Sequence, residues 1–188
     1  MKICGLQKMT LLDYPGKVAC TVFTGGCNLR CPFCHNASLV LDHNHDTLVS
    51  EEECLTFLRK RRGILDGVCI TGGEPLIQAD IADFLYLVKD LGYKIKLDPN
   101  GCFPRHLKDL VESGFIDYVA MDIKSSPSRY EKAVGIEGFD FSEMQESIDF
   151  LLSDQVDYEF RTTVVNGLHD ESVLKDTAAV IAGAKRYY

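Results

Sequence analysis

With 188 residues, 46% of them hydrophobic and 26% charged, the chain has enough apolar surface for one sizeable core and is not a disordered sequence. A formal charge of −8, from 28 acidic against 20 basic residues, excludes a general nucleic-acid binder, which needs a basic face. No apolar run approaches the roughly 20 residues of a membrane span, and MKICGLQKMT lacks the apolar stretch of a secretory signal, so a cytoplasmic protein with reduced thiols and no membrane partner is expected.

Apolar runs alternate with amphipathic ones along the chain. Strands are expected at Val18–Thr24, Gly67–Thr71, Tyr93–Asp98, Asp117–Ile123 and Val156–Val165. Helices are expected at Ser50–Arg62, Ala79–Leu91, Pro104–Ser113, Asp140–Ser153 and Glu171–Ala184. The first of these opens on Ser50 followed by three glutamates, an N-terminal capping signal, and Gly92 and Gly114 stand where helices should stop. Strand–helix alternation means parallel β/α units, and near-continuous apolar strands suit a sheet covered on both faces or a barrel. The fold class expected is therefore α/β: a partial (β/α) barrel of about five to six parallel strands in a single domain over residues 1–188. After RYY no sixth strand is visible, so an incomplete barrel or a truncated chain is expected.

The residues with chemistry fall after strands. The cysteine cluster follows the first, TGGEP the second and DPNG the third; MDIK ends the fourth, and NGLHD follows the fifth. In β/α barrels the active site is built from these carboxyl ends. Within CNLRCPFC, Cys27, Cys31 and Cys34 supply three soft ligands, suited to zinc or an iron–sulfur cluster. Structural zinc wants four protein ligands; His35 is the nearest fourth, but it is adjacent to Cys34 and poorly placed for a second corner of one tetrahedron. A [4Fe–4S] cube held by three thiolates keeps one iron open to a substrate. A zinc-binding, non-catalytic module remains the reading from another class.

Cys27-x3-Cys31-x2-Cys34, with aromatic Phe33 before the last cysteine and TGGEP further on, resembles the signature of the radical S-adenosylmethionine (SAM) superfamily. GLQKMTLLDYPGKVACTVFTGGCNLRCPFCHNASLV resembles the start of anaerobic ribonucleotide-reductase-activating proteins, and VAMDIKSS resembles that group and the pyruvate formate-lyase-activating enzymes. The resemblance implies a [4Fe–4S] cluster on Cys27, Cys31 and Cys34, with SAM on the open iron. It implies that Gly72, Gly73 and Glu74 receive the SAM amino group, and that Phe33, His35 and Asn36 line the adenine site. Asn100, Lys124 and Arg161 are implied SAM contacts, with Lys124 or Arg161 pairing the carboxylate. Asp98 and Asp122, helped by backbone carbonyls of Pro99 and Ala120, are the implied ligands of a monovalent cation. Where relatives often read DTNG this chain reads DPNG, so Pro99 keeps a carbonyl and loses an N–H and a hydroxyl.

The implied reaction is reductive cleavage of SAM with an electron from an external donor such as flavodoxin or ferredoxin. The resulting 5′-deoxyadenosyl radical abstracts hydrogen from a backbone glycine of a large partner, by resemblance an anaerobic ribonucleotide reductase. Another glycyl-radical enzyme, a peptide or a small molecule is the alternative target. Structural roles stand beside these. Asp98 and Asn100 suit a turn before Gly101, Asp122 and Lys124 a strand-end ion pair, and Arg161 a partner for Glu159. Cys20 and Cys69 are expected as core thiols, and Cys4, Cys54 and Cys102 are not spaced for a second cluster. The DHNHD run at 42–46 is expected to be a polar loop, and His106 and His169 surface residues.

Overall fold

Side chains alternate across a strand, so parity decides which residues meet the helices and which meet the inner face. In the computed structural model, which describes residues 1–41 and 49–188, six strands form one sheet in the order β1-β2-β3-β4-β5-β6. They are β1 (Ile3–Thr10), β2 (Ala19–Thr24), β3 (Gly67–Gly72), β4 (Lys94–Leu97), β5 (Tyr118–Asp122) and β6 (Asp157–Arg161). From β2 to β6 every neighbour is parallel. Between them run α1 (Ala37–Leu41), α2 (Glu51–Lys60), α3 (Ile81–Asp90), α4 (Pro104–Glu112), α5 (Tyr130–Val134) and α6 (Ser142–Leu152), with α7 (Glu171–Val180) after β6. The DHNHD run lies outside the described residues.

All five expected strands and all five expected helices are present, with two differences. β1 was not expected, and it pairs antiparallel to β2, from Ile3 opposite Thr24 to Thr10 opposite Ala19. Beyond β6, the Phe160 amide donates to Arg186 O at 3.1 Å, the Tyr188 amide to Phe160 O at 3.0 Å, and the Thr162 amide to Tyr188 O at 2.9 Å. RYY thus lies along the outer edge of β6 in parallel register, with Phe160 opposite Tyr187.

One face of the sheet packs on the helices. Cys20 and Val22, Val68 and Ile70, Ile95 and Leu97, Val119 and Met121, and Tyr158 and Phe160 alternate into a single buried cluster with Phe84, Leu107 and Ile148. The other parity carries Thr21, Cys69, Lys96, Asp98, Tyr118, Asp122, Glu159 and Arg161. Of the two arrangements expected, the open barrel is the one seen: the inner face lines a cavity, with polar and charged side chains beside a small buried cluster of Tyr14, Ala19, Tyr118 and Ala120. Ser50 caps α2 as expected: its hydroxyl accepts the Glu53 amide at 3.2 Å, and its amide donates to Glu53 Oε2 at 2.8 Å. Among the described residues no helix is long and apolar enough to cross a membrane.

Candidate active site

β2 ends in Thr24, and the chain then passes through Gly25 and Gly26 into the cysteine loop. Gly26 takes a φ of +86°, a value that glycine adopts at little cost. Its amide donates to Leu39 O at 2.8 Å, which folds α1 back over the loop. The loop is also tied to the far side of the sheet. Arg30 N–H donates to Val134 O at 2.8 Å, and its guanidinium donates to Cys27 O and Leu29 O at 2.7 Å each. Gly135 carries the left-handed turn that ends α5; a Cβ there would lie 2.4 Å from Arg30 O.

Cys27, Cys31 and Cys34 open onto one cavity of about 860 Å³, within the roughly 300–1,000 Å³ common for small-molecule sites. Its wall also includes Phe33, His35, Asn36, Gly72, Gly73, Asp98, Asn100, Asp122, Lys124 and Arg161. Of the fourteen side chains singled out from the sequence, only Glu74 is not among them. Burial pushes the Cys27 and Cys31 thiols above their ordinary range, and Cys31 also feels the other two thiols. Leu29 N–H donates to Cys27 Sγ at 3.4 Å, and the Asn100 amide reaches the same sulfur at 3.8 Å. Among the described residues no three His, Cys, Asp or Glu side chains are grouped to hold a single metal ion. Three thiols on one wall, with Cys27 and Cys34 both within electrostatic reach of Cys31, suit the larger iron–sulfur cube. Cys20 and Cys69 are buried, as expected of core thiols, and Cys4, Cys54 and Cys102 are buried free thiols as well.

Glu74 stands outside the cavity wall. Its carboxylate is wholly buried, and Oε1 accepts the Leu76 amide at 2.9 Å and Oε2 the Asn100 amide at 2.7 Å. It bolts the TGGEP turn to the DPNG turn. Burial raises its pKa from the usual 4.5 to about 7, against the two amides that lower it. The glycines before it also have a reason other than a ligand. A Cβ on Gly72 would lie 2.3 Å from the Thr24 amide, and one on Gly73 would lie 1.8 Å from Gly26 O. Asn36 donates to Gly72 O at 2.9 Å, which joins the cysteine loop to β3.

Asn100 does form its turn, with Oδ1 accepting the Cys102 amide at 3.0 Å, but its Nδ2 also donates to Asn28 Oδ1 at 2.7 Å. The Asp122–Lys124 ion pair closes at 2.6 Å. Burial alone would raise the Asp122 pKa; Lys124 and Arg161 outweigh it and hold the carboxyl below its usual range, while Asp122 holds Lys124 above its own. Arg161 does not pair with Glu159, which accepts the Tyr118 hydroxyl at 2.7 Å. Its guanidinium lies between Asp98, at 3.2 Å, and Asp122, at 3.1 Å, and donates to Ala120 O at 3.4 Å. Pro99 O accepts the Asp122 amide at 3.4 Å. The four groups expected around a monovalent cation are therefore all engaged by donors of this chain, and as arranged they do not fit one.

His169, expected at the surface, is half-buried instead; Nε2 meets Lys124 O at 2.8 Å and Nδ1 accepts the Val165 amide at 3.0 Å. Its ring meets Phe33 edge-on at 6.3 Å between centroids. It stands in the NGLHD run, one of the strand-end segments that the sequence pointed to. His106 is exposed, as expected, with its ring stacked on Phe103 and within 3.2 Å of Leu76 O.

Comparison with known proteins places these residues in a family. The Radical SAM superfamily profile matches residues 21–178. A Methanocaldococcus jannaschii protein, provisionally named a glycyl-radical enzyme activating enzyme, is 31% identical over 98% of this chain and 77% of its own length. The pyruvate formate-lyase-activating enzyme of Clostridium pasteurianum is 32% identical over 74% of this chain and 60% of its own. Among solved structures, Streptococcus suis SuiB bound to precursor peptide SuiA superposes with a TM-score of 0.66 at 14% identity, covering 85% of this chain and 35% of that one, a likeness of fold. The chain belongs to the radical SAM superfamily, whose members work with a [4Fe–4S] cluster and S-adenosylmethionine.

Proposed function

We propose that this chain is a cytoplasmic activating enzyme that installs a glycyl radical on an anaerobic ribonucleoside-triphosphate reductase, using electrons from a flavodoxin- or ferredoxin-type donor. The observation that carries the reading is a single cavity shared by three thiols and by the cations at the ends of β5 and β6. The glycyl-radical step rests on the M. jannaschii likeness, which runs along nearly the whole chain. The choice of reductase rests on the run from Gly5 to Val40 quoted above.

When bound, the cluster and SAM supply a one-electron reduction and a carbon radical able to take hydrogen from glycine. The residues of this chain do the positioning. Cys27, Cys31 and Cys34 would hold the cluster. Lys124 and Arg161 bring positive charge to the cavity wall where the SAM carboxylate is drawn. Phe33, with His169 against its edge, and the backbone at His35 and Asn36 form the aromatic and amide wall for adenine. The backbone carbonyls at Gly72, which also accepts the Asn36 amide at 2.9 Å, and Gly73 would receive the SAM ammonium beside Glu74.

The test is anaerobic reconstitution with iron and sulfide, reduction, and electron paramagnetic resonance before and after SAM. A [4Fe–4S] signal that changes with SAM is expected, followed by a glycyl-radical doublet once the reductase is added. Bound zinc, or a cluster signal indifferent to SAM, would overturn the cofactor assignment. SAM cleavage without a doublet on the reductase would move the target to another enzyme, a peptide or a small molecule.

A further inference from the structure

The inner ends of β4, β5 and β6 carry charges that alternate in sign: Lys96, Asp98, Arg161, Asp122, Lys124. Each carboxylate oxygen has its own cationic partner. Asp98 Oδ1 meets the Lys96 ammonium and Oδ2 meets Arg161 Nη2 at 3.2 Å; Asp122 Oδ1 meets Arg161 Nε at 3.1 Å and Oδ2 meets Lys124 at 2.6 Å. Arg161 Nη2 also reaches Ala120 O at 3.4 Å. Two carboxylates held this close on adjacent strands repel unless a cation stands between them. A bound alkali-metal ion would supply one unit of charge. A guanidinium supplies the same unit, never loses it, and meets the oxygens with a planar fork. It is also tethered to β6, so no free ion has to be captured.

We propose that Arg161 is a built-in counter-ion that takes the place of an alkali-metal ion in this site, so that the strand ends are organised without sodium or potassium. The inference builds on the SAM-site reading above only in saying what the row of charges serves. Glu159, buried on the same face of β6, adds a third carboxylate near Arg161 to set against the three cations, so the row is close to balanced without a free ion.

The test compares thermal unfolding of the reconstituted, SAM-free chain, kept anaerobic, in sodium, potassium and choline chloride at one ionic strength. The wild-type midpoints should coincide. Arg161→Gln should melt lower in choline and regain part of the loss in sodium or potassium, as the freed oxygens take up the ion. A wild-type midpoint higher in sodium or potassium than in choline by roughly 5 °C or more, the size expected of a well-saturated ion site, overturns the proposal. So does a folded Arg161→Gln chain indifferent to all three salts. The wild-type comparison needs no variant, and the readout needs no SAM, so a chain that failed to bind SAM would remove the functional reading and leave this test standing.

Discussion

Glu74 is a buried carboxylate bonded to two backbone amides, and its raised pKa has a signed consequence. Between the usual 4.5 and about 7 the folded chain holds a proton that the unfolded chain has released. Stability from this group is therefore full below pH 4.5 and is lost as pH rises through 7, by about 3 kcal/mol. Urea denaturation of the cluster-free chain at half-unit steps from pH 5 to 8 should show that decline, and Glu74→Gln should flatten it. A wild-type slope that survives in the variant would assign the effect to another group. The role of Glu74 was not legible in the sequence, because a carboxylate beside two glycines reads equally as a ligand for an ammonium or as a cap for a turn. The thiols were legible, since spacing alone brings Cys27, Cys31 and Cys34 together on one loop. Arg161 was legible as a site residue and not in its pairing, because its partners lie 39 and 63 residues away on other strands.

At the scale of elements, the site depends on how closely the ends of β2 and β3 approach. Gly73 N–H donates to Thr24 O at 2.9 Å and Glu74 N–H to Gly26 O at 2.8 Å, which leaves no room for a side chain between them. Gly73→Ala would put a Cβ 1.8 Å from Gly26 O, a contact with backbone that cannot swing aside. The cost should be on the order of 3 kcal/mol, lowering the melting midpoint by about 6–12 °C and weakening SAM binding with it. Circular dichroism and calorimetry measure both; an unshifted midpoint would mean that the two turns are less tightly joined than described. The parallel strands were legible because each is a dense apolar run between glycines and helices. β1 was not: Gln7, Lys8 and Met9 are exposed, and its register breaks twice, between Ile3 and Gly5 and between Gln7 and Thr10. An edge strand with three consecutive residues in solvent and irregular pairing has no clean two-residue period to read. The short helices α1 and α5 escaped because five residues cannot display a helical stripe.

Across the described residues, the helical face is held by one large apolar cluster and the inner face by a smaller one together with ion pairs, contacts that involve no metal. Removing iron with a chelator should leave the far-ultraviolet circular dichroism unchanged, whereas the cluster absorbance disappears. Collapse of the spectrum on chelation would show that the cysteine loop organises the sheet and not the reverse.

The cysteine loop is pinned by Leu39 of α1 and by Val134 of α5, through bonds that involve no iron. Ordering a flexible loop costs roughly 1–2 kcal/mol for each residue's backbone, and over CNLRCPFC folding has already met that cost. A cluster entering this loop would meet a backbone already held by the chain's own hydrogen bonds, and a cluster lost to oxygen would leave those bonds behind. On that reading the damage would cost the cluster and spare the chain, which could be charged a second time once its thiols are reduced.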